Sequence, residues 1–213
     1  MGRPGFYFIL IVCGMVLVGC DTSKNPVGET TTPDDFALFF KVGTEWIYEL
    51  ADTTANLYRR SFVVSKDTLS ILVREEIPLE GCDRAVRWVI FRNGEADSMV
   101  VCQQGDSAIL FFREDRFGRH LWLRFPFPLL PGRTWAGDFA DYSIDRVSRL
   151  ELPSGEFFNV IRVKEIERQG NSAGFNAYYL DPRFGILKFY WGTIVTLFEV
   201  NHLISWDFLK KKD

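Results

Sequence analysis

The residues best placed to do chemistry near the start of the chain are two cysteines, Cys13 and Cys20. Cys13 lies inside Phe6–Val18, an apolar run without charge, and Cys20 lies where this run gives way to polar sequence. A helix of that length spans about 20 Å, less than the roughly 30 Å hydrocarbon core of a bilayer. A charged start at Arg3, an apolar run and small residues at the exit are typical of a secretory signal. The pattern therefore favours a cleaved signal, which would carry Cys13 away, over a retained anchor helix.

The four residues Leu17, Val18, Gly19 and Cys20 resemble the lipobox of bacterial lipoproteins. The resemblance implies that the Cys20 thiol receives a diacylglycerol, that residues 1–19 are removed as a signal peptide, and that the new amine takes a further acyl chain such as palmitate. Several acyl chains hold a protein firmly, whereas a single chain binds a membrane reversibly. The alternative is an ordinary signal peptide that contains a cysteine. We expect a protein of the cell envelope, on the periplasmic side in a Gram-negative cell, with inner or outer membrane left open.

The remaining cysteines, Cys82 and Cys102, are candidates for a disulfide. Once Cys20 is acylated they are the last free thiols of the mature chain, and the compartment beyond the inner membrane is oxidising. In a hairpin closed at Asn93-Gly94, Cys102 is expected to face about residue 87, so Cys82 reaches it only if the preceding loop folds back. We predict the disulfide, which a Cα separation above about 7 Å would exclude.

Residues for acid–base or metal chemistry are few. The two histidines, His120 and His202, have no second ligand at a recognisable zinc spacing. Asp138, Asp141 and Asp145 cluster and could pair or bind Ca²⁺, but their spacing matches no calcium loop. Nucleophile-elbow, P-loop and dinucleotide-binding motifs are absent from the sequence. We expect no catalysis, no metal and no cofactor beyond the lipid on Cys20, and a hydrolase using a histidine is a distant alternative.

Charge and composition divide the mature chain into three parts. Removal of residues 1–19 takes one of the 25 basic residues and none of the 28 acidic ones, so the net charge falls from −3 to −4. This acidity predicts no nucleic-acid partner. Residues 20–35 are predicted to be the lipidated cysteine and a flexible tether, and 36–207 the folded domain. Residues 208–213, with Lys210–Lys212, are predicted to be a solvated basic tail, with contact to anionic lipid as the alternative.

The elements that must position these side chains are predicted to be strands. Trp46, Tyr48 and Leu50 alternate with polar residues and so share one face. Asn93-Gly94 is a strong hairpin signal, and the short spacings between strands exclude parallel crossovers. We expect an all-β domain with a single antiparallel, strongly curved sheet, sandwich or half-barrel of about 10 to 13 strands. A short helical turn is expected near Thr32–Asp35.

Four segments resemble a loosely defined group of bacterial lipoproteins without assigned function. They are VGTEWIY (42–48), LPGRTW (130–135), LPSGEFFNV (152–160) and YYLDPRFGILK (178–188). The resemblance implies that they mark the first strand, a mid-domain turn, a long hairpin and a late strand pair. The plan is also similar in architecture to the half-barrel carriers of lipids and lipoproteins in the periplasm.

Aromatic residues make up 15% of the chain, including 20 Phe. They indicate either a filled core or a cavity for an apolar ligand. Our leading interpretation is a binding or scaffolding domain without catalysis, holding an apolar ligand such as an acyl chain inside the curved sheet. The alternative is a structural or assembly component that presents a surface to another envelope protein. The oligomeric state is left open.

Overall fold

The computed structural model describes residues 31–56, 61–137, 140–167, 172–195 and 200–212. The lipobox, Cys20 and Asp138 lie outside these residues. A 3₁₀ helix covers Pro33–Phe40 and is followed by twelve strands. The strands are β1 Glu45–Asn56, β2 Ser61–Glu76, β3 Arg84–Arg92, β4 Glu95–Gln104, β5 Ala108–Asp115, β6 Gly118–Pro126, β7 Thr134–Ala136, β8 Ala140–Leu152, β9 Gly155–Glu167, β10 Ser172–Asp181, β11 Gly185–Val195 and β12 Val200–Lys212. In these ranges no helix is both long and apolar enough to cross a membrane.

The strands form a continuous antiparallel sheet in the order β6-β5-β4-β3-β2-β1-β12-β11-β10-β9-β8-β7. The sheet folds over so that its two halves face each other. The ring centroid of Tyr178 in β10 lies 5.6 Å from that of Phe125 and 6.3 Å from that of Trp122, both in β6. In the described strands β6 and β7 are the two edges, so the halves form a sandwich-like layer pair and not a closed barrel. The all-β, antiparallel prediction is confirmed.

The first strand places its apolar row on the inner face of the sandwich, as the alternation predicted. Trp46, Tyr48 and Leu50 are each 1% exposed. The Tyr48 hydroxyl donates a hydrogen bond of 2.9 Å to the carbonyl oxygen of Ile186, and the Trp46 indole donates one of 2.7 Å to that of Phe184. Buried polar groups that find such partners avoid the cost of desolvation.

Three of the four lipoprotein-like segments meet at this point. Phe184, from the late strand pair, accepts the Trp46 bond, and its ring lies 5.3 Å from that of Phe157 in the long hairpin. Gly185 adopts φ +91°, and a Cβ there would lie 2.9 Å from Phe39 and 3.3 Å from the Trp46 indole nitrogen. A side chain at Gly185 is therefore excluded by both backbone conformation and space. These segments account for packing at one end of the sandwich.

The 3₁₀ helix covers that end. Phe39 is fully buried and its ring lies edge-on to Trp46, Trp88 and Phe111, at 6.1, 5.2 and 6.0 Å between centroids. Thr31 and Pro33 are also buried, so the packed structure begins before residue 36. The predicted tether of 20–35 is therefore too long at its end, because these residues contribute to the cover.

The predicted basic tail of 208–213 is a strand as far as Lys212. Phe208 is 4% exposed, and its ring lies 6.1 Å from that of Tyr48. Glu45 pairs with Lys212 and Ile47 with Lys210, so the lysines continue the ladder to its end. Backbone pairing with β1 and the burial of Phe208 hold this segment, although lysines are poor strand formers.

Cys82 and Cys102 are joined by a disulfide with a Cα separation of 5.7 Å, as predicted. The position opposite Cys102 was misjudged. It faces Ala85 and not residue 87, because the two-residue turn pairs Arg92 with Glu95. The loop before β3 does fold back, and the Asp83 amide donates a hydrogen bond of 2.9 Å to Gln103.

Candidate functional site

The two histidines predicted as distant catalytic candidates are not brought into one constellation by the described residues. His120 lies on β6, and its Nε2 is 3.3 Å from an Asp115 oxygen, with both side chains more than half exposed. The backbone of His202 lies in β12 opposite Thr54 and Thr193, and its side chain lies outside the described ones. Such an exposed pair at a hairpin end has the environment of a solvated surface contact.

Of the predicted acidic cluster, Asp145 is held in ion pairs. Asp145 accepts hydrogen bonds from Arg162 at 2.6 and 2.7 Å and lies 2.6 Å from Lys164. The hydrogen bond from Arg162 is the main reason that the pKa of Asp145 falls to about 2. Asp141 is exposed, and Asp138 lies outside the described residues. Across the part of the chain that the structure covers, no three His, Cys, Asp or Glu side chains are grouped as metal ligands.

The interior between the two halves is filled by aromatic side chains. Phe111 packs edge-on against Trp88 and Phe125, and Tyr178 packs against Phe125 and Phe189, with centroids 5.0 to 5.6 Å apart. The cavity that remains between them measures about 20 Å³, room for about one water molecule. The described side chains therefore leave no space for an acyl chain at this point of the interior. The high Phe content fills a core.

The inner face becomes polar with distance from the 3₁₀ helix. Alternate residues of a strand point to the same face. On the inner face Leu50 is followed by Asp52 in β1, Phe111 by Arg113 in β5, and Val163 by Glu165 in β9. Arg113 is exposed, and Asp52 and Glu165 are partly exposed, so water reaches the inner face here. The packed core thus gives way to a polar opening.

A groove of about 450 Å³ lies beside this opening, between the edge strands β6 and β7, and we call it the seam groove. Its principal walls are Trp122, Arg124, Trp135, Gly137, Tyr142 and Glu165. Most small-molecule sites in proteins are concave and measure about 300 to 1,000 Å³. The seam groove falls in that range.

The β7–β8 hairpin supplies one aromatic wall. Trp135 and Tyr142 are opposite each other in the ladder, and their rings stack in parallel with centroids 4.9 Å apart and an angle of 1°. Gly137 makes this possible, because a Cβ there would lie 2.8 Å from Cε2 of Tyr142. Cross-strand aromatic pairs of this kind stabilise a hairpin and present a flat surface.

Trp122 supplies the second wall through a bulge. In the β5–β6 ladder Phe111 pairs with Leu123 and Phe112 with Leu121, so Trp122 is the extra residue. A bulge redirects a side chain and blunts an edge strand against aggregation. The Trp122 ring reaches across the sandwich to lie edge-on to Tyr178, which places it between the core and the seam groove.

The polar groups of the groove are unevenly paired. The Arg113 guanidinium lies 4.6 Å from the centroid of the Trp122 ring. Arg124, two residues after Trp122 in β6, lines the groove and is exposed. The Tyr178 hydroxyl donates a hydrogen bond of 3.3 Å to Glu165, and burial raises the pKa of Tyr178. Asn176, opposite Glu165 in the ladder, is buried with its amide oxygen lacking a hydrogen-bond partner among the described residues. Within the same residues neither arginine meets a carboxylate.

Sequence reasoning missed the seam groove. It placed Trp135 at a mid-domain turn and did not single out Trp122. The period-two pattern contained one usable signal, since Arg113 and Glu165 interrupt apolar rows that would otherwise face the core. The bulge at Trp122 and the meeting of two sheet edges leave no such pattern.

Comparison with known proteins gives a distant structural likeness. No protein-family model matches the chain, and no curated protein matches it. A crystal structure from Bacteroides fragilis, of a protein named as exported and with a YmcC-like fold, is 12% identical and has a TM-score of 0.47. It covers 81% of this chain and 97% of its own. A protein from Parabacteroides distasonis, named as a lipoprotein, is 12% identical over 81% of this chain and 96% of its own, with a TM-score of 0.46.

Proposed function

We propose that this chain is a lipid-anchored protein of the cell envelope whose β domain binds a ligand in the seam groove without covalent chemistry. The observation that carries the proposal is the contrast between a filled interior and an open groove with aromatic walls. The groove has the volume of a small-molecule site, whereas the interior cavity is only about as large as one water molecule.

The anchor is supported by the lipobox at Leu17–Cys20 and by the short apolar run before it. The described structure begins with Thr31, which leaves ten residues between it and Cys20. Ten residues reach at most about 35 Å even when fully extended, so the domain would stay close to the membrane surface. Cys20→Ala is expected to abolish incorporation of labelled fatty acid in growing cells. Labelling that persists in this variant would place the acylation elsewhere.

Binding in the groove is supported by its walls, which leave apolar ring surface beside charged groups. Such a combination is typical of ligand sites, where apolar contacts give affinity and a few polar groups give orientation. We therefore place the ligand site at the edge of the sheet, whereas the aromatic content had suggested a site in the interior.

Native mass spectrometry of the full lipidated chain, released from detergent micelles, tests the groove. We expect a co-purified mass in the parent protein that falls at least about tenfold in Trp135→Ala. Phe158→Ala is the matched control, because this aromatic side chain is 56% exposed on β9 and does not line the groove. A bound mass retained equally by both variants would contradict the proposal, as would no bound mass in any of them.

A second candidate function is a docking surface for another envelope protein. On the outer face Leu121, 54% exposed, lies opposite the partly buried Phe112 in the β5–β6 ladder. Phe91, also on the outer face, is 42% exposed. Apolar side chains exposed on one face of a sheet are available for contact with a protein partner. Crosslinking in intact cells that captures a partner from a photoreactive residue at position 121, and loses it in Phe91→Ser, would favour this function.

A further inference from the structure

The seam groove combines flat apolar surfaces with Arg124, which meets no carboxylate among the described residues, and this combination limits the chemical classes of ligand that fit. The inference rests on the proposed function, since it names the class of ligand that the groove would bind.

The aromatic walls favour a ligand that contains a ring. Trp135 and Tyr142 are held parallel, and Trp122 is fixed by its contacts with Tyr178 and Phe189. Rigid aromatic side chains lose little conformational entropy on binding and offer a planar surface. The C–H face of a sugar ring is a flat apolar surface of matching size.

The arginines favour a negative charge on that ligand. Arg113 contacts the Trp122 ring through its guanidinium, and Arg124 lines the groove. Neither has a carboxylate partner in the described ranges, although the whole chain carries a net charge of −3. Guanidinium groups bind carboxylate and phosphate through paired, charge-assisted hydrogen bonds.

The carboxylate of Glu165 favours hydroxyls on the ligand. Glu165 lines the groove, and it accepts a hydrogen bond from the Tyr178 hydroxyl. A carboxylate can accept several hydrogen bonds, and a ligand hydroxyl would supply a further donor. An acyl chain fits the groove less well, because it would remove water from Arg124 and Glu165 without replacing the hydrogen bonds that they make to water.

We propose that the seam groove binds an anionic saccharide, a sugar ring that carries a carboxylate or a phosphate. The ring face packs on the Trp135–Tyr142 pair and Trp122, and the anionic group binds Arg124. Hydroxyls of the ring donate to Glu165.

Isothermal titration of the full lipidated chain in detergent tests the assignment with three probes. Trigalacturonate carries carboxylates, glucose 1-phosphate carries a phosphate, and the methyl ester of trigalacturonate is the uncharged match of the first. We expect at least one anionic probe to bind, and the methyl ester to bind about tenfold or more weakly than trigalacturonate if the carboxylate is recognised. The preferred anionic probe distinguishes the carboxylate source from the phosphate source.

Variants locate the binding. Arg124→Gln is expected to weaken the anionic probe about tenfold or more, and Trp135→Ala to weaken both charged and esterified forms. Arg116→Gln is the charge-matched control, since Arg116 contacts Phe117 in the β5–β6 turn and does not line the groove. Because Arg124 is exposed, its variant is expected to fold normally, which thermal melting checks. Equal binding by Arg124→Gln and the parent protein would overturn the assignment.

Failure of this inference is distinguishable from failure of the groove itself. No binding of either anionic probe, together with a co-purified apolar molecule that Trp135→Ala loses, would refute the saccharide and keep the binding groove. Absence of both probe binding and any co-purified molecule would refute both proposals.

Discussion

Reduction of the Cys82–Cys102 disulfide is expected to destabilise the β domain by about 3 kcal/mol. The bond links residues 20 apart in sequence. Cross-linking a loop of this length removes about 3 kcal/mol of conformational entropy from the unfolded chain. For a domain of 150 to 250 residues each kcal/mol shifts the melting temperature by about 2 to 4 °C, so a fall of about 6 to 12 °C is expected.

The bond also holds local structure. Cys102 is fully buried. In the loop that the disulfide secures, the Asp83 amide donates a hydrogen bond to the carbonyl oxygen of Gln103. Reduction therefore removes the cross-link without creating a cavity, whereas replacing Cys102 would add one. Reduction is the cleaner perturbation for that reason.

Urea titration followed by tryptophan fluorescence, with and without reductant, measures the effect. A Cys82→Ala variant in the absence of reductant is expected to match the reduced parent protein, and reductant is expected to leave that variant unchanged. An unchanged urea midpoint on reduction would refute the entropic argument. Two reactive thiols in the unfolded, unreduced mature protein would show that the bond does not form.

Three further predictions concern single side chains. Gly137→Ala is expected to displace Tyr142 and weaken groove binding several-fold, with less than about 1 kcal/mol change in stability; unchanged probe titration would contradict this. Tyr48→Phe is expected to cost about 1 to 2 kcal/mol in urea unfolding, because the carbonyl of Ile186 loses a buried donor. The pKa of Asp145 is depressed to about 2, so its contribution to stability is present above about pH 4 and lost as the pH falls through 2. Because the side chain is 37% exposed, the contribution is expected to be below about 1 kcal/mol, and Asp145→Asn should remove that part of the pH dependence in urea midpoints at pH 5 and 2.5.

Local pattern was enough to predict the architecture. The alternation through Trp46, Tyr48 and Leu50 identified the inner face of β1, and Asn93-Gly94 identified the β3–β4 turn. Both signals act between neighbouring residues, so they are visible in one sequence. The disulfide was predicted from compartment chemistry, and the register opposite Cys102 was missed by two residues.

The seam groove depends on contacts that local pattern does not carry. Trp122 and Trp135 lie on opposite edges of the sheet, and they share a groove because the sheet folds over. The sequence also did not show whether the interior is filled or hollow, because a high aromatic content is compatible with both. Lys210–Lys212 were misassigned because pairing with β1 outweighs their low strand propensity.

The strand order has a consequence for how the molecule assembles. In the described sheet every ladder joins strands that follow each other along the chain, except that between β1 and β12. In backbone pairing, β1–β6 and β7–β12 are therefore two meanders, and one long-range ladder joins them. We expect the strands within each meander to pair first and the β1–β12 ladder to form last. If the chain is cut within 127–133, the two fragments should accordingly associate and restore the β1–β12 ladder. The fragment pair could then report on the proximity of two fused proteins.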